Sequence, residues 1–416
     1  MRLLHTSDWH LGRSLHGEVL VDAQRQVLER IVEVVDEHAV DAVLVSGDVF
    51  DRAMPPVDAV RLLGDTLAAL ATRVPTVVIS GNHDSAERLG FGAPLFRPGM
   101  HVCTAASQVG QPVELADEHG PVLVYPIPYL DPDLARVALA ADAGHPLDRS
   151  HEAVLQAAMQ RVRDDLTRRQ AAPPGVRSVV LAHAFVAGGL RPSTTSREAP
   201  DAASSTAAQD RSSLRSDSER DLRVGGTEVV PAEVFAGVDY VALGHLHGAQ
   251  EPQAVGRTRL RYSGSPLRYS FSEALQDKSV TLVDLDAEGV REVSAVPLAQ
   301  PRGMAVVTGS FDDVIGSDRF AGHVDDWVQV TVTDPARPHD LVAAVRGRFP
   351  HALVVRHEPT SGALLERGHL TQVTSLDPLV VAQSFVHYVT GADATDAEVA
   401  AFASAYEAVV AAERSA

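Results

Sequence analysis

The chain of 416 residues has a single cysteine, Cys103, so no intramolecular disulfide framework can form and nothing argues for an oxidising compartment. Lysine is as scarce: Lys278 stands alone, and the remaining positive charge is arginine. Positive charge is also in deficit overall, with 36 Lys and Arg against 55 Asp and Glu, a formal net charge of −19. Such a field repels a polyanionic partner unless bound cations reverse it locally. No segment approaches the roughly 20 uninterrupted apolar residues of a membrane span, and Asp8 arrives before a signal-peptide core could form. A soluble, cytoplasmic protein with no membrane role is expected. The 45% share of hydrophobic residues excludes wholesale disorder, and the length suits two or three domains.

What is present is a set of short runs rich in Val, Ile and Leu: Arg2 to His5, Asp41 to Val45, Thr76 to Ile79, Pro121 to Ile127, Ser178 to Leu181 and Asp239 to Leu243. Each fits a buried strand. Helical patterns lie between several of them, with Leu28, Ile31, Val32 and Val35 at i, i+3, i+4 and i+7, and similar spacing over Val57 to Ala71 and Glu152 to Arg168. This alternation predicts an α/β sheet covered by helices on both faces. A Ser-, Thr- and Arg-rich stretch at about 191–223 carries too little apolar surface to order itself and is expected to be a disordered insertion. From about Pro301 the pattern becomes a small α+β domain, and after Asp377 it is helical. The expected division is 1–300, 301–376 and 377–416.

Five of the six strands end in polar clusters: Asp8-Trp9-His10, Gly47-Asp48, Gly81-Asn82-His83-Asp84, His183 and Gly244-His245-Leu246-His247. In open α/β sheets the carboxyl ends of the strands border the ligand crevice, so these clusters converge. Taken singly each is a loop, a turn or a hydrogen-bonded histidine. Together they form a mixed nitrogen and oxygen donor set for divalent first-row metals, with Cys103 outside it. Seven candidate ligands, Asp8, His10, Asp48, Asn82, His183, His245 and His247, exceed the need of one ion and fit two, with Asp48 able to bridge. Two ions about 3.5–4 Å apart can clamp a phosphodiester and activate water. His83 is placed to donate to a leaving group, with Asp84 orienting it, or else to act as a further ligand. Asp51 fits a turn.

These residues resemble the five-part signature of calcineurin-like metallophosphoesterases. Thr6 to Gly12, Ser46 to Ala53, Tyr240 to His247 and Tyr262 to Phe271 further resemble the SbcD family of bacterial nuclease subunits, over most of the first 290 residues. The resemblance implies a β-sandwich flanked by helices, a small α+β capping domain and C-terminal partner-binding helices. It implies that Asp8, His10, Asp48 and His247 hold one ion, that Asp48, Asn82, His183 and His245 hold the other, that His83 is catalytic, and that the ions are manganese. It implies a DNA exonuclease and hairpin endonuclease near the nucleoid, acting with an SbcC-type ATPase in an assembly of two plus two chains. A homodimer through the nuclease domain belongs to that picture.

Arg13, Arg52, Arg88, Arg261 and Arg268 lie near the clusters and are candidates for phosphate contacts. Phe402, Tyr406 and Val409 form an apolar stripe suited to a partner helix. A phosphoesterase of a small phosphodiester or a phosphoprotein explains the same ligands and sits more easily with the charge, but leaves the helical tail without a role. A non-catalytic scaffold would lack ligands, and none is missing.

Overall fold

The computed structural model describes residues 1–142, 144–170, 176–187, 191–192, 229–359, 378–390 and 393–413. Two large sheets form most of the larger unit, Met1–Thr333 with Arg337–His357. The first has six strands in the order Gly289–Pro297, Ser279–Asp286, Arg2–Thr6, Ala42–Ser46, Thr76–Ile79 and Met100–Cys103, parallel from Arg2–Thr6 onward. The second has seven, and its central four, Arg259–Tyr262, Tyr240–Gly244, Arg177–His183 and Gly120–Ile127, run parallel.

The inner faces meet in a core built from Leu3, Leu44, Val77 and Ile79 on one side and Val124, Val179, Leu181 and Tyr240 on the other. Outer faces are covered by helices. Val21–Glu37 and Val57–Ala71 place Val27, Leu28, Ile31 and Leu62 over Leu4, Val43, Val45 and Val78. His151–Gln170 places Val154, Ala158 and Val162 over Tyr125, Val180 and Val241. The sandwich implied by the family resemblance is therefore present, whereas the single sheet predicted from strand and helix alternation is not. A strand buried on both faces has the same composition whether a helix or a second sheet covers it.

Met304–Gly309, Trp327–Val332 and Ala352–His357 form a small parallel sheet, with Phe311–Gly316 and Leu341–Arg348 packed on a core of Val307, Val330, Val345 and Phe349. A separate compact unit comprises Asp334–Ala336 and Glu358–Ala416, in which the helices Pro378–Thr390 and Asp396–Glu413 pack on each other. The insertion at about 191–223 lies outside the described residues, except for the strand Arg191–Pro192, which pairs with Gln250–Glu251. Among the described residues no helix is long and apolar enough to cross a membrane.

Candidate metal centre

All five polar clusters follow strands whose carboxyl ends point the same way, so two sheets deliver them to one crest. The loops are stitched together by backbone bonds, with Asp8 N–H donating to the Gly47 carbonyl (3.0 Å) and His10 N–H to the Asp48 carbonyl (3.0 Å). Across the sheets, Ser46 Oγ donates to the Ala242 carbonyl (2.9 Å) and His245 N–H to Asp8 Oδ1 (3.0 Å). Asp8, His10, Asp48 and His245 adopt left-handed backbone, with φ of 55°, 43°, 50° and 105°. Such conformations cost about 1–3 kcal/mol each and persist only where the surroundings enforce them. Two glycines set the spacing: a Cβ on Gly81 would lie 2.1 Å from Asp48 Oδ1, and one on Gly244 2.0 Å from the Ser46 carbonyl oxygen.

Asp8, His10, Asp48, His183 and His247 are buried. His10 Nε2 lies 3.0 Å from His247 Nε2 and 3.6 Å from Asp48 Oδ2. The outer nitrogens face carboxylates: His247 Nδ1 lies 3.1 Å from Glu273 Oε1, and His10 Nδ1 3.5 Å from Asp51 Oδ1. Those carboxylates favour N–H at Nδ1, which turns two Nε2 lone pairs toward each other. His183 repeats the pattern, its Nδ1–H donating to the Ser46 carbonyl (2.9 Å) while Nε2 faces Asn82 Oδ1 (2.9 Å) and Asp48 Oδ2 (3.4 Å). His245 Nδ1 lies 3.1 Å from the same Asn82 oxygen. The His10 and His247 lone pairs facing each other at 3.0 Å are stable with a cation between them, and the nitrogen and oxygen donors around them fit divalent ions. Three sets hold ligand atoms within 4.8 Å of one another: Asp8, His10 and His247; Asp8, Asp48 and His183; and His10, Asp48 and His83.

Electrostatics follow from this crowding. Burial opposes charge on Asp48, yet His183, His10 and His83 hold its carboxyl well below the usual range. Burial also disfavours the His183 imidazolium, but Asp48 outweighs it and pushes the pKa up to about 9. His10 is pushed down to about 4, chiefly by burial.

His83 stands half-buried at the edge, its ring set against His10 with centroids 4.8 Å apart and its backbone N–H donating to Asp48 Oδ1 (2.9 Å). The structure corrects the expected role of Asp84. His83 Nδ1–H donates to the Asp51 carbonyl (2.8 Å), whereas the Asp84 carboxylate accepts N–H from Gly81 (2.8 Å), Val49 (3.0 Å) and Phe50 (2.8 Å). Asp84 ties two ligand loops together, and burial beside Asp48 pushes its pKa up to about 7. Asp51 is more than a turn residue, since its carboxylate sits between His10 and Arg13.

Of the candidate phosphate-binding arginines, Arg261 is corrected outright: it is 7% exposed. Arg13 pairs with Asp51 (2.9 Å), Arg88 donates to the Ala53 carbonyl (2.7 Å), and half-buried Arg268 donates to the Gln276 carbonyl (3.0 Å). Arg52 is exposed and makes no hydrogen bond or ion pair among the described residues. In the C-terminal unit Phe402 and Tyr406 are 38% and 43% exposed, joined by Val380 and Phe385, while the side chain of Val409 lies outside the described residues. The sequence reading also missed Gln24, which donates to the His10 carbonyl (2.7 Å), Tyr269, whose ring borders His10 and His247, and Glu273. None of these follows a parallel strand, so no positional signal marked them.

Residues 1–249 match the family model described as calcineurin-like phosphoesterase, and the chain belongs to that family: it is a metallophosphoesterase, a hydrolase of phosphoester bonds. Residues 300–390 match the SbcD C-terminal domain, described as the type 5 capsule protein repressor C-terminal domain, which makes the chain SbcD-like. Among solved structures it is similar to TT1561 of Thermus thermophilus, at 14% identity, covering 72% of this chain and 99% of that one with a TM-score of 0.38. A novel archaeal phosphodiesterase matches at 10% identity, covering 72% and 100%, with a TM-score of 0.29. GAP50, the anchor in the inner membrane complex of Plasmodium, matches at 10%, covering 87% and 98%, with a TM-score of 0.33. At such scores the likenesses add nothing to the family models.

Proposed function

We propose that the chain is the nuclease subunit of an SbcCD-type complex, a manganese-dependent double-strand exonuclease and hairpin or single-strand endonuclease in DNA end processing. What carries the reading is one chain joining a phosphoesterase domain at 1–249 to an SbcD C-terminal domain at 300–390. Asp8, His10, Asp48 and His247 would hold one ion, and Asp48, Asn82, His183 and His245 the other. Two divalent ions, when bound, polarise a phosphodiester and make water a nucleophile at neutral pH.

The chain's own residues do the rest. The Asp51 carbonyl fixes the His83 ring through Nδ1–H, so a protonated His83 presents Nε2–H to the departing oxygen. Asp84 keeps the loops of Asp48 and Asn82 in register. Arg52, uncommitted and exposed, is the arginine best placed to take a DNA phosphate, a contact that carries no base specificity. The SbcC-type ATPase would dock on the helix bearing Phe402 and Tyr406, completing an assembly of two plus two chains, and the nuclease domain would supply the homodimer contact.

Cleavage of an end-labelled DNA hairpin in manganese, by the chain alone and with the partner ATPase and ATP, tests the proposal. Metal-dependent cleavage that strengthens with partner and ATP supports it. Hydrolysis of simple phosphodiesters with DNA left intact would move the function to a small substrate.

A further inference from the structure

The only lysine in the chain is buried beneath the metal centre. Lys278, 3% exposed, donates through Nζ to Glu273 Oε2 (2.7 Å), the His247 carbonyl (2.9 Å), Ser265 Oγ (2.9 Å) and Gln276 Oε1 (3.0 Å). An ammonium has three protons, so these acceptors saturate it. They crowd around a single point, where a planar guanidinium fork could not turn its donors inward. A chain that otherwise uses arginine for positive charge thus keeps a lysine where only a compact cation fits.

Glu273, fully buried, meets Lys278 with one oxygen and His247 with the other. Oε2 accepts the Tyr269 N–H (3.2 Å) as well, and Oε1 lies 3.1 Å from His247 Nδ1. The result is a relay of buried groups, Lys278 to Glu273 to His247, that ends on a candidate ligand. His10 has a looser arrangement, its Nδ1 lying 3.5 Å from a carboxylate that is 22% exposed.

We propose that Glu273 and Lys278 are positioning residues for the metal centre. Lys278 fixes the Glu273 carboxylate, Glu273 holds His247 in the tautomer with Nδ1–H, and the Nε2 lone pair is thereby aimed at the ion. The proposal rests on the metal reading of the cluster and assigns no contact with substrate to either residue. Partners of this kind orient metal-bound histidines, and their loss typically costs 10–100-fold in metal affinity.

Manganese titration calorimetry on chelator-stripped full-length chain tests it, comparing wild type with Glu273→Gln and Lys278→Met. Because Lys278→Met leaves a buried carboxylate unpaired, the paired variant Glu273→Leu/Lys278→Met is included, which removes both charges together. Wild type is expected to take up two ions, and each variant to lose roughly 10–100-fold in affinity for one of them, the other being retained. Melting with and without manganese separates positioning from plain stability: the manganese-dependent rise in Tm should shrink in the variants. Variants that melt lower by the same amount in both conditions, with unchanged affinities, would overturn the proposal. Wild type that takes up fewer than two ions would overturn the metal reading, and the proposal with it.

Discussion

The crest of the sandwich and the small sheet at 304–357 are both built from parallel apolar strands, yet they end differently. In the small sheet the polar residue after a strand serves the backbone: Ser310, following Met304–Gly309, caps the helix Phe311–Gly316 by accepting from the Asp313 N–H. On the crest the corresponding residues face each other instead, and Asp8, Asp48, His10 and His245 hold left-handed backbone to do so. In the small sheet Asp340 is the one non-glycine residue of that kind among the described residues. The same strand chemistry makes a rigid cap in one place and a strained donor cluster in the other. What separates them is the left-handed backbone of the four crest residues, which turns their side chains toward one another.

Gly81→Ala should break that difference most severely. Its Cβ would meet Asp48, and the outcome expected is loss of manganese uptake and of all cleavage, read by metal analysis and hairpin assay. His83→Ala comes next: it should still take up two ions while cleavage falls roughly 10²–10⁴-fold, the usual contribution of a positioned acid or base. Normal turnover in that variant would remove His83 from the mechanism. In the small sheet, Phe349→Ala empties a fully buried position and should cost about 3–5 kcal/mol in denaturant melts, with manganese affinity of the folded protein unchanged. The smallest effect is expected at exposed Gly347, near the end of the helix Leu341–Arg348, where an added Cβ meets nothing within 4 Å. There Gly347→Ala should raise stability by up to about 1 kcal/mol through the lower entropy of the unfolded chain.

Much of the crest was legible because strand ends are positional signals. Five runs of Val, Ile and Leu, each followed by Asp, Asn or His, locate a shared edge without any knowledge of contacts. The assignment of strands to two sheets was not legible: Arg2–Thr6, Ala42–Ser46 and Thr76–Ile79 lie in one, Arg177–His183 and Tyr240–Gly244 in the other, and all five are buried on both faces. Side-chain direction within a loop was equally hidden. Asp84 follows His83 in the chain, yet turns to three backbone N–H groups, because buried donors must be satisfied whatever the neighbouring ring requires. Glu273 and Lys278 lie far along the chain from His83 and meet the site only through tertiary packing. The scarcity of lysine was visible in composition, but its meaning depended on four acceptors that only the fold assembles.

Anomalous diffraction at the manganese edge, from crystals of the chain soaked in manganese, tests the two-ion centre most directly. Two peaks are predicted, one among Asp8, His10, Asp48 and His247 and one among Asp48, Asn82, His183 and His245. A single peak, or peaks away from these side chains, would contradict it.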